Sequence, residues 1–166
     1  MVLEENRRSH ASALRARPDS RFAIVVSRWH EELTGAMLAS AQDELLAAGV
    51  RPGNLHVVWV PGSFELPIVA ARAAAHADSV LAFGVVIQGE TQHDHWVAHG
   101  AVTGLLLASL QNETPIHLGV LTCHTLEQAR ARALPPSKGG EQDKGRAVAR
   151  AGIETLAALD EIDDWD

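Results

Sequence analysis

The sequence predicts an α/β fold, a three-layer αβα sandwich around a four-stranded parallel sheet with helices on both faces. Three observations predict it. Short apolar runs alternate with helical patterns four times along the chain. The runs are apolar throughout rather than alternating, as in parallel strands covered on both faces. The chain has 166 residues, enough for one domain with a sizeable core.

The elements follow in order. Residues 1–20 are rich in charged and small residues, Glu4, Arg7, Arg8 and Arg15 among them, and read as a flexible N-terminal arm. Residues 21–166 form the single domain. Residues 22–26 are a buried strand. Residues 31–49 read as an amphipathic helix, because Leu33, Met37, Ala41, Leu45 and Ala48 recur at spacings of three and four. Gly49 stops it. Residues 55–60 are the second strand and 65–76 an Ala-rich helix. The third strand, 79–84, runs on into Val85, Val86 and Ile87. A long helix covers 92–111, and the fourth strand is 116–121. The last helices, 125–133 and 144–159, are separated by Pro135, Pro136, Gly139 and Gly140, which interrupt any helix. A sheet of this flavodoxin-like kind binds ligands beyond the carboxyl ends of its strands. The expected chemistry therefore collects on one edge.

The formal net charge of −7 argues against a general nucleic-acid surface, which needs a basic patch. A local site can still attract an anion. No run of 18 apolar residues occurs, so no membrane span is expected. The first residues lack the apolar stretch of a signal peptide. The one cysteine, Cys123, allows no internal disulfide. A reducing compartment, the cytoplasm, fits it. There is no Tyr, so the four Trp residues stand out as candidates for specific work.

Four motifs carry possible chemistry. Pro61-Gly62 makes a tight turn after a strand, and Glu65 then stands in a first helical turn. Glu65 reads either as a carboxylate favoured by the helix dipole or as an acceptor for a polyhydroxyl ligand. Residues 84–93 end a strand in an apolar ledge, turn at Gly89 and start a helix at Thr91. Free N–H groups there suit a phosphate. His93, one turn in, reads as a proton shuttle or as a solvated helix-start histidine. Trp29, directly after the first strand, either stacks on a planar heterocycle or packs on the core rim. Arg132 and Lys144 are cations that either close a phosphate site or sit on solvated helix surface. His95 and His99 share a helical face. A zinc site needs three or four ligands, and neither Asp94 nor the distant Cys123 extends this pair, so no metal is expected.

Together these motifs resemble the lumazine synthase family, the enzymes that make 6,7-dimethyl-8-ribityllumazine. The resemblance covers about residues 21–158. Its anchors are residues 24–29, 59–67, 84–93, and 119–122 with 127–129. It implies that Trp29 stacks on a pyrimidine and that Ser63, Phe64 and Glu65 hold a ribityl chain. Val85, Val86 and Ile87 match the ledge under the heterocycle. Leu118 matches a ring-covering residue contributed across a subunit boundary. Glu90 and Thr91 match a backbone phosphate cradle, Arg132 and Lys144 its cations, and His93 the proton donor. The implied substrates are small molecules, 5-amino-6-ribitylaminouracil and 3,4-dihydroxy-2-butanone 4-phosphate, and no cofactor is needed. A homo-oligomer is implied, with riboflavin synthase as a possible partner protein. A pentamer is expected rather than an icosahedral shell, because residues 134–143 are longer than in shell-forming members.

The sequence also departs from the family pattern. Gln88 stands where Arg is usual, and Asp94-His95 replaces an aromatic-acidic pair. His30 stands where Asn is common, and Ala147 where an acidic residue is frequent. These departures motivate an alternative, a catalytically weak paralogue that binds flavin or lumazine.

Overall fold

The computed structural model describes residues 14–165. Residues 1–13 of the expected arm lie outside the described residues. Four strands, β1 (Phe22–Ser27), β2 (Leu55–Val60), β3 (Ser79–Ile87) and β4 (Ile116–Cys123), form one sheet. All pairs are parallel, in the order β2-β1-β3-β4. Five helices accompany them among the described residues: α1 (Glu31–Ala47), α2 (Leu66–Ala74), α3 (His93–Asn112), α4 (Leu126–Ala133) and α5 (Lys144–Asp163). The three-layer sandwich expected from the alternation of elements is what the chain forms.

β1 explains the layering. Its side chains alternate between the two faces. Phe22, Ile24 and Val26 join a core with Leu33, Met37 and Leu45 of α1 and Val148 and Ile153 of α5. Ala23 and Val25 join a second core with Leu66 and Ala70 of α2 and Leu105 of α3. The expected α1 face, Leu33, Met37, Ala41, Leu45 and Ala48, is buried throughout. The two faces of the sheet are not equally covered at its edges. In β2 the inward residues Leu55, Val57 and Trp59 pack on the first core, while Val58 is 43% exposed. On that outer face His56 and Val58 are exposed, and only Val60 at the strand end is buried in the second core.

Element ends shift by a few residues. Glu65, expected as the first residue of the second helix, instead ends a single 3₁₀ turn, Ser63–Glu65, that leads into α2. α5 runs four residues past its expected end. Its start is anchored at Asp143, whose Oδ1 accepts the Arg146 N–H at 3.3 Å. Arg146 and Arg150 both reach Glu44 of α1, the latter at 2.8 Å, which ties the two helices together. Ahead of β1, Leu14 and Ala16 lie against the first core, and the Ala16 N–H donates to the Ala48 carbonyl at 3.0 Å.

His117 of β4 lies opposite Leu81 of β3, with its Nε2 buried and without a partner among the described residues. Burial holds its imidazole below the ordinary histidine range. The unfolded chain therefore binds a proton that the folded chain resists. The stability gained from a neutral His117 is full above the unfolded value near 6.5 and is lost as pH falls below it. Lowering the pH from 7.5 to 5.5 should lower the Tm more in the wild type than in His117→Leu. Parallel Tm–pH curves for the two proteins would contradict this.

Candidate active site

The chain runs from β1 outward to β2, then returns across β1 to β3 on the other side. The strand order reverses between β1 and β3, and the loops leaving their carboxyl ends part at that point. A cleft of about 570 Å³ opens there. Trp29 and His30 border it after β1, and Gly62 to Glu65 after β2. Val85 to Ile87, Gly89, Thr91 and His93 border it after β3.

The first wall is held by backbone bonds that continue the β1–β2 pairing past the strand ends. The Arg28 N–H donates to the Val60 carbonyl at 2.8 Å and the Trp29 N–H to the Pro61 carbonyl at 3.2 Å. Arg28 lies over the Trp59 ring at 5.2 Å. Trp29 itself is 69% exposed, so its ring is open to a ligand rather than packed on the core rim. His30 adopts a left-handed conformation, φ 60° and ψ 47°, just before α1. That conformation suits Asn, the residue common in the resembling family, because its short side chain tolerates the left-handed region.

The second wall is the turn at 62–65. The Glu65 Oε2 accepts the Gly62 N–H at 2.9 Å and so closes the turn on itself. The Ser63 hydroxyl is buried, has no partner among the described residues and faces Gly84. A Cβ on Gly84 would stand 2.4 Å from that oxygen and 3.0 Å from Leu66 Cδ1. Only glycine lets the turn lie against β3. The Phe64 ring, largely exposed, rests on Gly100 of α3 in the same way.

The floor and far wall come from β3 and α3. Val85 is buried, Val86 and Ile87 are half-buried, and the chain then leaves the sheet. The Thr91 hydroxyl accepts the His93 N–H at 3.3 Å, which fixes the start of α3. Thr91 thus stands two residues before the helix rather than at its first position. His93 is exposed on the cleft wall. Two lining residues, Asp94 and Trp96, were not assigned to a site from the sequence. Trp96 follows His93 by three residues, a helical spacing that could have marked it.

Nine of the expected residues therefore meet in one cleft: Trp29, Ser63, Phe64, Glu65, Val85, Val86, Ile87, Thr91 and His93. Glu90, Leu118, Arg132 and Lys144 do not line it. Leu118 is 42% exposed on the edge strand β4. Arg132 lies on α4, where its Nη1 donates to the Gln128 carbonyl at 2.9 Å. Lys144 opens α5. Neither cation takes part in an ion pair among the described residues.

A second cleft lies between the end of β4 and α3, bordered by Gln88, Asp94, His95, His99, Thr122, Cys123 and His124. The His95 and His99 rings are near parallel, 13° apart in plane with centroids at 6.2 Å. Among the described residues no group of three or more His, Cys, Asp or Glu side chains is placed to hold a metal ion. Burial pushes the Cys123 thiol up, and the nearby Arg132 charge opposes that shift. The guanidinium thus lies near the Cys123 thiol at the tip of β4.

Gly84→Ala should displace the turn at Ser63 and lower stability by about 1–3 kcal/mol, the usual cost of overpacking. Adding Ser63→Gly should recover part of that loss in thermal unfolding. If Gly84→Ala alone left the Tm unchanged, the close approach would not constrain the turn.

The chain matches the family described as 6,7-dimethyl-8-ribityllumazine synthase over residues 19–160. It is 43% identical over 143 residues to the 6,7-dimethyl-8-ribityllumazine synthase of Frankia casuarinae, covering 86% of this chain and 88% of that one. The Thermus thermophilus protein of the same name is 43% identical over 145 residues, 86% and 89% of the two chains. That of Stenotrophomonas maltophilia is 39% identical over 151 residues, 90% and 95%.

Proposed function

The chain belongs to the 6,7-dimethyl-8-ribityllumazine synthase family, and we infer that it is an enzyme of riboflavin biosynthesis. It condenses 5-amino-6-ribitylaminouracil with 3,4-dihydroxy-2-butanone 4-phosphate to 6,7-dimethyl-8-ribityllumazine, phosphate and water. The observation that carries this reading is the cleft at the β1/β3 parting, where Trp29, the Ser63–Glu65 turn, the ledge and His93 face one space. The relatives' names as synthases favour turnover over the flavin-binding alternative.

In this reading the exposed Trp29 ring stacks on the pyrimidine. Ser63, Phe64 and Glu65 hold the ribityl chain, with Glu65 Oε2 already engaged by Gly62. Val85, Val86 and Ile87 form the ledge under the ring. The amine attacks the ketone and water leaves, giving an imine. Phosphate is eliminated, and the ribitylamino nitrogen then attacks the remaining carbonyl and closes the ring with loss of a second water. His93, exposed on the cleft wall, moves protons in these steps, the usual task of an imidazole. Holding the two substrates in one orientation supplies much of the rate. The departing phosphate meets the backbone of Glu90 and Thr91 and the cations Arg132 and Lys144.

Because Leu118, Arg132 and Lys144 stand away from the cleft of their own chain, they serve the cleft of a neighbouring copy. The enzyme works as a homo-oligomer, and the prolines and glycines of residues 134–143 favour a pentamer over a shell. The reading implies riboflavin synthase, which consumes the product, as a partner. It also implies a cytoplasmic site, which the single thiol supports.

Lumazine fluorescence, after subtraction of the uncatalysed condensation, should show clear turnover by the purified protein. His93→Ala should lower kcat by roughly 10²-fold or more. A wild type no faster than the blank would reject the enzyme reading, and an unimpaired His93→Ala would reject the role of His93. Sedimentation should give a pentamer's mass; a capsid's mass would overturn that assignment.

A further inference from the structure

The bonds between the tips of β3 and β4 form a continuous chain that ends on Arg132. Ile87 and Cys123 are the last paired residues of the two strands. Just beyond them the Gln88 N–H donates to the Cys123 carbonyl at 2.8 Å. The Gln88 amide oxygen meets the His124 ring at Nδ1. With that oxygen facing the ring, Nδ1 carries the proton and donates. The His124 backbone N–H donates to Gln128 Oε1 at 2.9 Å. Gln128 is seated at the start of α4 through its own N–H, which donates to Thr125 Oγ1 at 3.2 Å. Its carbonyl accepts Arg132 Nη1 at 2.9 Å, which turns the guanidinium back along α4 toward the β4 tip.

We propose that Gln88 and His124 form a hydrogen-bonded latch that positions Arg132 for the phosphate-bearing substrate. Gln88 and His124 are therefore positioning residues, acting through Gln128 on a cation that itself meets the phosphate. Gln88 occupies a place where the family pattern has a cation, so this chain holds the β3 tip by an amide–imidazole bond instead. The titratable and charged groups near the latch are Asp94, His95 and His99 of α3 and Arg132 of α4, with the Cys123 thiol beside it. Neither Gln88 nor His124 lines the substrate cleft, so their loss acts on Arg132 and leaves the pyrimidine contacts in place.

The inference rests on the proposed reaction and on the phosphate role of Arg132, so the test carries Arg132→Ala as its reference. KM for each substrate is measured with the full-length protein. Arg132→Ala should raise KM for the butanone phosphate and leave KM for the pyrimidine unchanged. His124→Ala should raise the same KM by about fivefold, the scale of one exposed hydrogen bond. Gln88→Ala should match it, and the double variant should add little beyond either, since both break one latch. His124→Asn, whose amide nitrogen stands where Nδ1 does, should return KM to within about twofold of wild type. Should His124→Ala fail to fold, Gln88→Ala reads the same latch from the β3 side. Equal rises in both KM values, or a His124→Asn no better than His124→Ala, would overturn the latch. An effect of Arg132→Ala without one from His124→Ala or Gln88→Ala would remove the latch alone. No effect of Arg132→Ala would remove the phosphate assignment and the latch together.

Discussion

Both faces of β1 must be shielded from water, because all six of its residues are buried. A strand in that position needs helices on either side and strands on either edge. The chain supplies α1 and α5 on one face, α2 and α3 on the other, with β2 and β3 as neighbours. Once β1 is central, β2 and β3 must leave it in opposite directions. Their outgoing loops then diverge, and the space between them is the cleft. The location of the site is thus a consequence of burying one apolar strand.

The cleft is kept open and shaped by close approaches rather than by charge. Gly84 admits the Ser63 turn, and Gly100 admits the Phe64 ring. Backbone bonds past the strand ends carry Trp29 out of the core and into the open. A ring with 69% of its surface exposed carries a real solvation cost, which a stacked heterocycle would relieve. The polar groups at the rim are mostly committed to local geometry. Glu65 closes its own turn and Thr91 caps the start of α3.

The cations sit elsewhere, Arg132 on α4 and Lys144 at the start of α5. Arg132 is directed by its own helix toward the β4 tip, and Leu118 lies open on the same edge strand. The cleft of one copy is therefore lined by neither cation and not by Leu118. Under the proposed function, such a cleft ties chemistry to assembly, because another copy would supply the cations.

Much of the fold was legible in the sequence. The apolar runs at 22–26, 55–60, 79–87 and 116–121 and the buried face of α1 were marked by pattern alone. The local chemistry of the turn at 61–65 and of the start of α3 was legible too, since it lies in short contiguous stretches. Other features were not. The exposed face of β2 depends on which strand is at the edge, and pattern does not encode strand order. Trp96 and Asp94 join the cleft because α3 packs over β3, and the buried Nε2 of His117 depends on what covers β4. By itself the sequence determined the elements, their apolar faces and the residue types able to do chemistry, because these follow from local spacing and intrinsic conformational preference. Only the tertiary structure decided which of them meet. Trp29 and His93 are 64 residues apart in the chain, and Arg132 is turned from both, because packing a parallel sheet between two helical layers sets distances that no local spacing contains.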